Sequence, residues 1–181
     1  MAEAFFQATA WTMDTPKPYG AFHLVLTVLG VSLSIFLARK FSFPERKAGP
    51  DTILFLCGLF LGLTELYKQG FIYYIENGRT YDWWYFPFQL CSIPMYLGLF
   101  IPMVPARIRN VFYLFIQDFG LLGGIMALAE PSGLMHPYWT MTVHGFLWHF
   151  NLIFMGLICA FYNLKTETPK SYLHTIPLFL F

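Results

Sequence analysis

The chain has 181 residues, of which 57% are hydrophobic, 20% aromatic and only 12% charged. An ordinary soluble domain carries about 25% charged residues, so this composition excludes a water-soluble fold, and the high hydrophobic content excludes a disordered chain. A formal net charge of +1 provides no basic field that would attract a nucleic acid. The composition therefore predicts a polytopic membrane protein.

The N-terminal segment, residues 1–19, precedes the first long apolar stretch. It lacks the basic start of a secretory signal, and Asp14, Pro16 and Pro18 interrupt its apolar residues. We expect this segment to lie on the external side of the membrane, with residues 2–13 as a candidate for a short interfacial helix.

Five stretches with few or no charged residues follow, each close to the roughly 20 apolar residues that a spanning helix needs. The chain becomes apolar once more at Ser171 but ends at Phe181, which is too short to span. Either the rest of a last helix is missing from this chain, or the segment lies in the interface. The predicted fold is all-α, a single polytopic transmembrane helix bundle over 20–181 with five full spanning helices near 20–38, 52–75, 86–104, 110–129 and 138–164 and a partial sixth at 171–181.

The lysines and arginines are divided unevenly between the two sides of this bundle. Eight of the eleven lie in alternate connections, four of them in the 39–51 loop. Because cytoplasmic loops carry the excess of these residues, we predict a multi-pass protein of the cell membrane with the N-terminus outside and the 39–51 loop cytoplasmic.

Ionisable residues inside a membrane span are costly, so each one is a candidate functional residue. Glu65 and Lys68 stand at i, i+3 on the second helix, a spacing that places them on one face and close enough to pair. A purely structural ion pair is equally compatible with this spacing. Asp118, beside Gln117, lies nearer the cytoplasmic end, where Arg107 or a wet cavity is the expected partner.

The segment 86–95, Phe-Pro-Phe-Gln-Leu-Cys-Ser-Ile-Pro-Met, is the most unusual in the chain. Pro94 cannot donate a hydrogen bond to the carbonyl of Leu90, so we expect a kinked helix with loosened backbone around Cys91. Gln89 places a polar group beside this thiol. None of the three cysteines forms a CxxC pair, and Cys91 is expected to be free because the other two lie near the opposite membrane face. A buried, inert thiol is the alternative reading.

The fifth helix contains His144 and His149, which are separated by roughly 140° around a helix. This separation argues against a metal site built on two histidines of one face, which needs i, i+4 spacing. We predict no metal and no cofactor, with one histidine facing the interior and the other at a helix contact. At 1.5 Å per residue, both histidines lie in the same membrane layer as Cys91, Glu65 and Lys68.

These motifs resemble the YwaF / transmembrane protein 164 family over most of residues 52–160. The resemblance rests on Glu65-Leu-Tyr-Lys68, Phe86-Pro-Phe-Gln-Leu-Cys91, the Leu122–Pro131 segment and the downstream His149. One departure is Phe-Gln where the family often has Leu-His before Leu-Cys. The family consists of integral membrane proteins with six or more helices, and its animal relatives imply a lipid acyltransferase that uses a cysteine and a histidine in the membrane.

The resemblance implies acyl transfer through a thioester on Cys91, with His149 as the base and Glu65 as the third catalytic residue that orients it. Gln89 is then a candidate oxyanion donor, Lys68 a counter-ion or a ligand for lipid phosphate, and His144 the substitute base. The expected partners are membrane lipids, and a homo-oligomer is compatible with the sequence. Two non-enzymatic alternatives remain, which are a small transporter or channel-like subunit and a structural or assembly protein.

Overall fold

The computed structural model describes residues 1–42, 49–162 and 169–179. Within these ranges the chain is helical, with one isolated β-bridge between Thr12 and Tyr138. Four helices are long and apolar enough to cross a membrane, and a shorter apolar helix accompanies them. The predicted all-α helix bundle is therefore confirmed. The four long segments are Ala21–Phe41, Pro50–Glu76, Ala106–Ala129 and Trp139–Phe161.

The described part of the chain contains eight α-helices, two π-helical turns and five 3-10 segments. The helices are α1 (Ala2–Ala8), α2 (Ala21–Phe41), α3 (Pro50–Phe71), α4 (Ile93–Phe100), α5 (Ala106–Phe115), α6 (Leu121–Ala129), α7 (Trp139–Phe161) and α8 (Pro169–Leu173). A π-helical turn, Ile72–Glu76, prolongs α3, and another, Ile116–Gly120, joins α5 to α6. The 3-10 segments Leu90–Ser92 and Ile101–Met103 flank α4, and Ile176–Phe179 follows α8. The other two, Trp83–Tyr85 and Pro131–Leu134, lie in the loops before α4 and α7.

The third predicted helix differs most from its expected length. It was expected near 86–104, but the apolar helix runs from Leu90 to Met103, or roughly 21 Å at 1.5 Å per residue. Phe86 is extended, with φ −61° and ψ 134°, because the proline that follows it disfavours a helical conformation. Pro94 occupies the first turn of α4, where its missing N–H costs nothing, so it begins a helix and does not kink one.

The C-terminal apolar segment forms two short helical turns, Pro169–Leu173 and Ile176–Phe179. The last two residues of the predicted partial helix, 180–181, lie outside the described residues, as do 163–164 of the predicted fifth helix and 43–48 of the predicted cytoplasmic loop. From this segment Tyr172 donates a hydrogen bond to Asp118, with 2.9 Å between Oη and Oδ2. The sequence did not predict that partner for Asp118.

The most buried span is α7, which packs against α2, α3 and α6. Close approach between helices of this bundle depends on glycines, as is usual in membranes. A β-carbon on Gly58 of α3 would lie 2.7 Å from the backbone nitrogen of Leu99, and one on Gly30 of α2 would lie 2.1 Å from the ring of Phe150. In contrast, α2 is the least buried span and turns a row of large apolar side chains outward.

The two ends of the bundle are fastened by different contacts. At one end α1 packs on the end of α3, with Phe6 stacked on Tyr74 at 5.5 Å between ring centroids. At the same end the backbone nitrogen of Trp139 donates to the carbonyl of Trp11. At the other end Arg109 forms an ion pair with Asp51. The N-terminal segment therefore lies at the same end as the loops that precede α4 and α7.

Candidate functional site

A cavity of about 410 Å³ lies near the end of the bundle that carries the N-terminal segment. Its walls come from α3, the turn before α4, the loop before α7 and α7 itself. Five of the six predicted catalytic and substrate-binding residues line it, namely Lys68, Gln89, Cys91, His144 and His149. The sixth, Glu65, does not line this cavity but contacts Lys68. Side chains from three separate parts of the chain therefore meet at one space.

The wall contributed by α7 is a single helical stripe. Its lining residues Met141, His144, Gly145, Trp148 and His149 follow the spacing i, i+3, i+4, i+7, i+8. We had expected the two histidines to face different surroundings, and the structure corrects this expectation. They mark the two edges of the stripe, and a cavity that covers the whole stripe is wide enough to reach both.

The hydrogen bond made by His149 determines where its ring carries a proton. Its Nδ1 lies 2.7 Å from the backbone carbonyl oxygen of Gly145, one turn earlier on α7. Because a carbonyl oxygen only accepts, Nδ1 must carry the hydrogen, and Nε2 keeps its lone pair. A neutral imidazole in this tautomer is able to accept a proton at Nε2, which is the requirement for a general base.

The expected contact between Glu65 and His149 does not form among the described residues. The carboxylate of Glu65 instead holds two donors of its own helix, because Lys68 Nζ and Gln69 Nε2 lie 2.8 Å and 2.7 Å from its Oε1. Gln69 also donates to the carbonyl of Tyr85, at 2.6 Å. The ion pair that the i, i+3 spacing predicted is thus confirmed. The bond from Gln69 to Tyr85 ties α3 to the segment before α4.

Cys91 is half-buried and belongs to the 3-10 turn Leu90–Ser92. Its Sγ lies 3.8 Å from the side-chain oxygen of Gln89, the residue that precedes this turn in an extended conformation. The thiol is free, as are those of the two buried cysteines, Cys57 and Cys159. Cys91 is therefore the cysteine that combines a polar neighbour with access to the cavity.

Trp148 is the main site residue that reasoning from the sequence missed. Its indole N–H donates to the backbone carbonyl of Cys91, at 3.2 Å, and so holds the 3-10 turn against α7. The ammonium of Lys68 lies 5.9 Å from the centroid of the same indole, and the ring of His144 lies 5.6 Å from it. The signal was present in the sequence, because Trp148 lies one helical turn after His144 and therefore on the same face.

The loop before α7 closes the cavity on the remaining side. It contributes Ser132 and His136, neither of which the sequence singled out. Hydrogen bonds from Ser132 to the carboxylate of Glu130 hold the pKa of this group below its usual range. The backbone nitrogen of His136 donates to Thr142 Oγ1, which fixes the loop on α7. No group of three or more metal-binding side chains is arranged for an ion within the described ranges.

The comparison with protein families matches residues 18–181 to the TMEM164 family. The chain belongs to the TMEM164 family. The match extends beyond the 52–160 region that carried the resemblance and includes every wall of the cavity. No curated protein and no solved structure matches this TMEM164-family chain.

Proposed function

We propose that this TMEM164-family protein transfers an acyl group between membrane lipids through a thioester on Cys91. The observation that carries the proposal is the cavity itself, where the half-buried thiol of Cys91 and the basic nitrogen of His149 share one space. A nucleophilic cysteine needs a base that accepts its proton and a space that admits the substrate. His149 is the candidate for the base, and the cavity is the candidate for the space that admits the substrate.

The reaction proceeds in two halves. His149 Nε2 takes the proton of the Cys91 thiol, and the thiolate attacks the ester carbonyl carbon of a donor lipid. The tetrahedral intermediate collapses, the carbon–oxygen ester bond breaks, and the leaving alkoxide receives the proton from His149. In the second half, the hydroxyl of an acceptor lipid gives its proton to His149 and attacks the thioester. The thiolate leaves and is protonated again, which regenerates the starting state.

The other lining residues have supporting roles in this proposal. Lys68 supplies a positive charge on the cavity wall, suited to the oxyanion or to a lipid phosphate, and the side chain of Gln89 lies next to the reacting sulfur. Glu65 acts as a positioning residue, because its carboxylate holds Lys68 at the wall and does not contact His149. His144 is the alternative base at the other edge of the α7 stripe.

Trapping of the acyl-enzyme tests the proposal. Purified protein in lipid nanodiscs is incubated with a phospholipid whose acyl chain carries a terminal alkyne, and the covalently bound alkyne is then measured. We expect label on Cys91, released by neutral hydroxylamine as a thioester is. The matched variant Cys91→Ser should lose this hydroxylamine-sensitive label, whereas Cys57→Ser and Cys159→Ser should keep it.

The two histidines are distinguished in the same assay. His149→Ala should reduce labelling by roughly a hundredfold, the contribution of one general base, whereas His144→Ala should leave most of it. If His144→Ala reduced labelling more than His149→Ala did, His144 would be the general base. Equal labelling of all three cysteines, or none on Cys91 in folded protein, would contradict the enzyme and favour a structural or transport role.

A further inference from the structure

A second space adjoins the cavity on the other side of the Glu65–Lys68 pair. It is a groove of about 490 Å³ between α3 on one side and α4 with the segment that leads into it on the other. Its walls are almost entirely apolar, and Glu65 is the only charged side chain among the described residues that line it. The apolar lining residues include Leu59, Gly62, Leu63, Leu66, Met95 and Leu99, and polar groups of Gln69, Tyr81 and Tyr96 also lie in the wall. The amide of Gln69 and the hydroxyl of Tyr96 already donate to other groups of the protein. This groove plays no part in the acyl-transfer steps.

The bilayer is the natural source of whatever enters this groove. Leu59, Leu63 and Leu66 are 39%, 59% and 71% exposed on a helix long enough to cross the membrane. These side chains therefore face acyl chains, and the groove continues the same apolar surface inward. A molecule that lies in it needs a hydrocarbon chain that the walls can cover.

Glu65, which lines the groove, has a carboxylate oxygen without a hydrogen-bond partner. Glu65 is 3% exposed, and both of its donors, Lys68 and Gln69, bind Oε1. Its other oxygen, Oε2, is buried and accepts no hydrogen bond from any described residue. A buried acceptor that stays unpaired is costly, so a ligand that brings a hydrogen-bond donor to this oxygen is favoured.

The charge of the groove selects the kind of lipid. No described cationic side chain lines it, because Lys68, the partner of Glu65, lines the other cavity. A headgroup in the groove therefore meets a carboxylate and no ammonium, which disfavours a phosphate. We propose that the groove binds diacylglycerol, with one acyl chain along the leucine wall and the free hydroxyl donating to Glu65 Oε2. This lipid carries a hydrogen-bond donor, its free hydroxyl, and no phosphate. The inference goes beyond the proposed acyl transfer, because the groove binds this lipid whether or not Cys91 reacts.

Photo-crosslinking tests the site directly. Protein in nanodiscs is irradiated with a diacylglycerol that carries a diazirine in one acyl chain, and labelled peptides are identified by mass spectrometry. We expect label on the peptides of α3 and α4 that line the groove. The O-methyl ether of the same lipid should label them roughly tenfold less, because it cannot donate to a charged acceptor.

A pair of glycine variants locates the site. A β-carbon on Gly62 would meet only Leu99 Cδ1, at 3.7 Å, so Gly62→Leu fits the backbone and fills the groove. Gly123 on α6 has nothing within 4 Å of its β-carbon, which makes Gly123→Leu the matched control. Labelling should be lost in the first variant and kept in the second. In Glu65→Gln the preference for the free hydroxyl should shrink, since a neutral amide accepts more weakly.

Three results would overturn the inference. Equal labelling by diacylglycerol and its methyl ether would show that no hydroxyl is recognised. Labelling that survives in Gly62→Leu would place the lipid elsewhere on the surface. Stronger labelling by the matching phosphatidic acid would show that the groove selects an anionic lipid. Photo-crosslinking measures lipid binding in the groove, whereas the hydroxylamine assay measures thioester formation on Cys91. A negative result in one experiment therefore does not contradict the proposal that the other experiment tests.

Discussion

The ion pair between Glu65 and Lys68 allows a quantitative prediction about two single variants. The pair is asymmetric, because the side chain of Lys68 is 20% exposed at the cavity and that of Glu65 is 5% exposed. Lys68→Met leaves a buried carboxylate with one remaining donor, the amide of Gln69. Glu65→Gln leaves an ammonium that still lines the cavity and still lies over the ring of Trp148.

The two variants should therefore differ in their cost to the free energy of unfolding. Removing the partner of a buried charge costs roughly 3–5 kcal/mol, which is the value we expect for Lys68→Met. Glu65→Gln loses a hydrogen bond to a charged group but strands no fully buried charge, so about 1.5–3 kcal/mol is expected. The double variant should lose less than the sum of the two by about 1–3 kcal/mol, the coupling typical of contacting residues.

Unfolding in mixed micelles with increasing dodecyl sulfate, followed by tryptophan fluorescence, measures these differences. The exposed ion pair between Arg79 and Glu3 is the control, and Arg79→Met should cost little because solvent screens that pair. Strictly additive losses for Glu65→Gln and Lys68→Met would refute the coupling. Equal losses would refute the asymmetry that we infer from the different exposure of the two side chains.

Three other features of the molecule lead to further predictions. Trp148→Phe keeps an aromatic ring but removes the N–H that holds the 3-10 turn at Cys91. The rate of thioester formation should therefore fall about fivefold to tenfold in folded protein. An unchanged rate would show that the turn does not need this hydrogen bond. Gly58→Ala forces a methyl group to 2.7 Å from the backbone of α4 and should cost about 1–3 kcal/mol, whereas Gly123→Ala should be tolerated. An impermeant maleimide should label Asn77→Cys in intact cells but reach Ser42→Cys only after permeabilisation, and the opposite pattern would invert the predicted topology.

Several features of this protein follow from the sequence alone. The long apolar stretches predicted near 20–38 and 138–164 correspond to Ala21–Phe41 and Trp139–Phe161. Such stretches can be recognised in a sequence because the thickness of a bilayer sets the number of apolar residues in a spanning helix. The contact between Glu65 and Lys68 was equally predictable, since residues at i, i+3 are neighbours on any helix.

The arrangement of the candidate site depended on tertiary structure. The sequence brought Cys91 and His149 into one membrane layer, but the bond from Trp148 to Cys91 joins residues 57 positions apart. Likewise, the sequence did not show whether the carboxylate of Glu65 reaches His149 on another helix. The direction of a side chain along one helix follows from local geometry, whereas its partner on another helix depends on how the helices pack, and glycine contacts such as that of Gly58 set this packing.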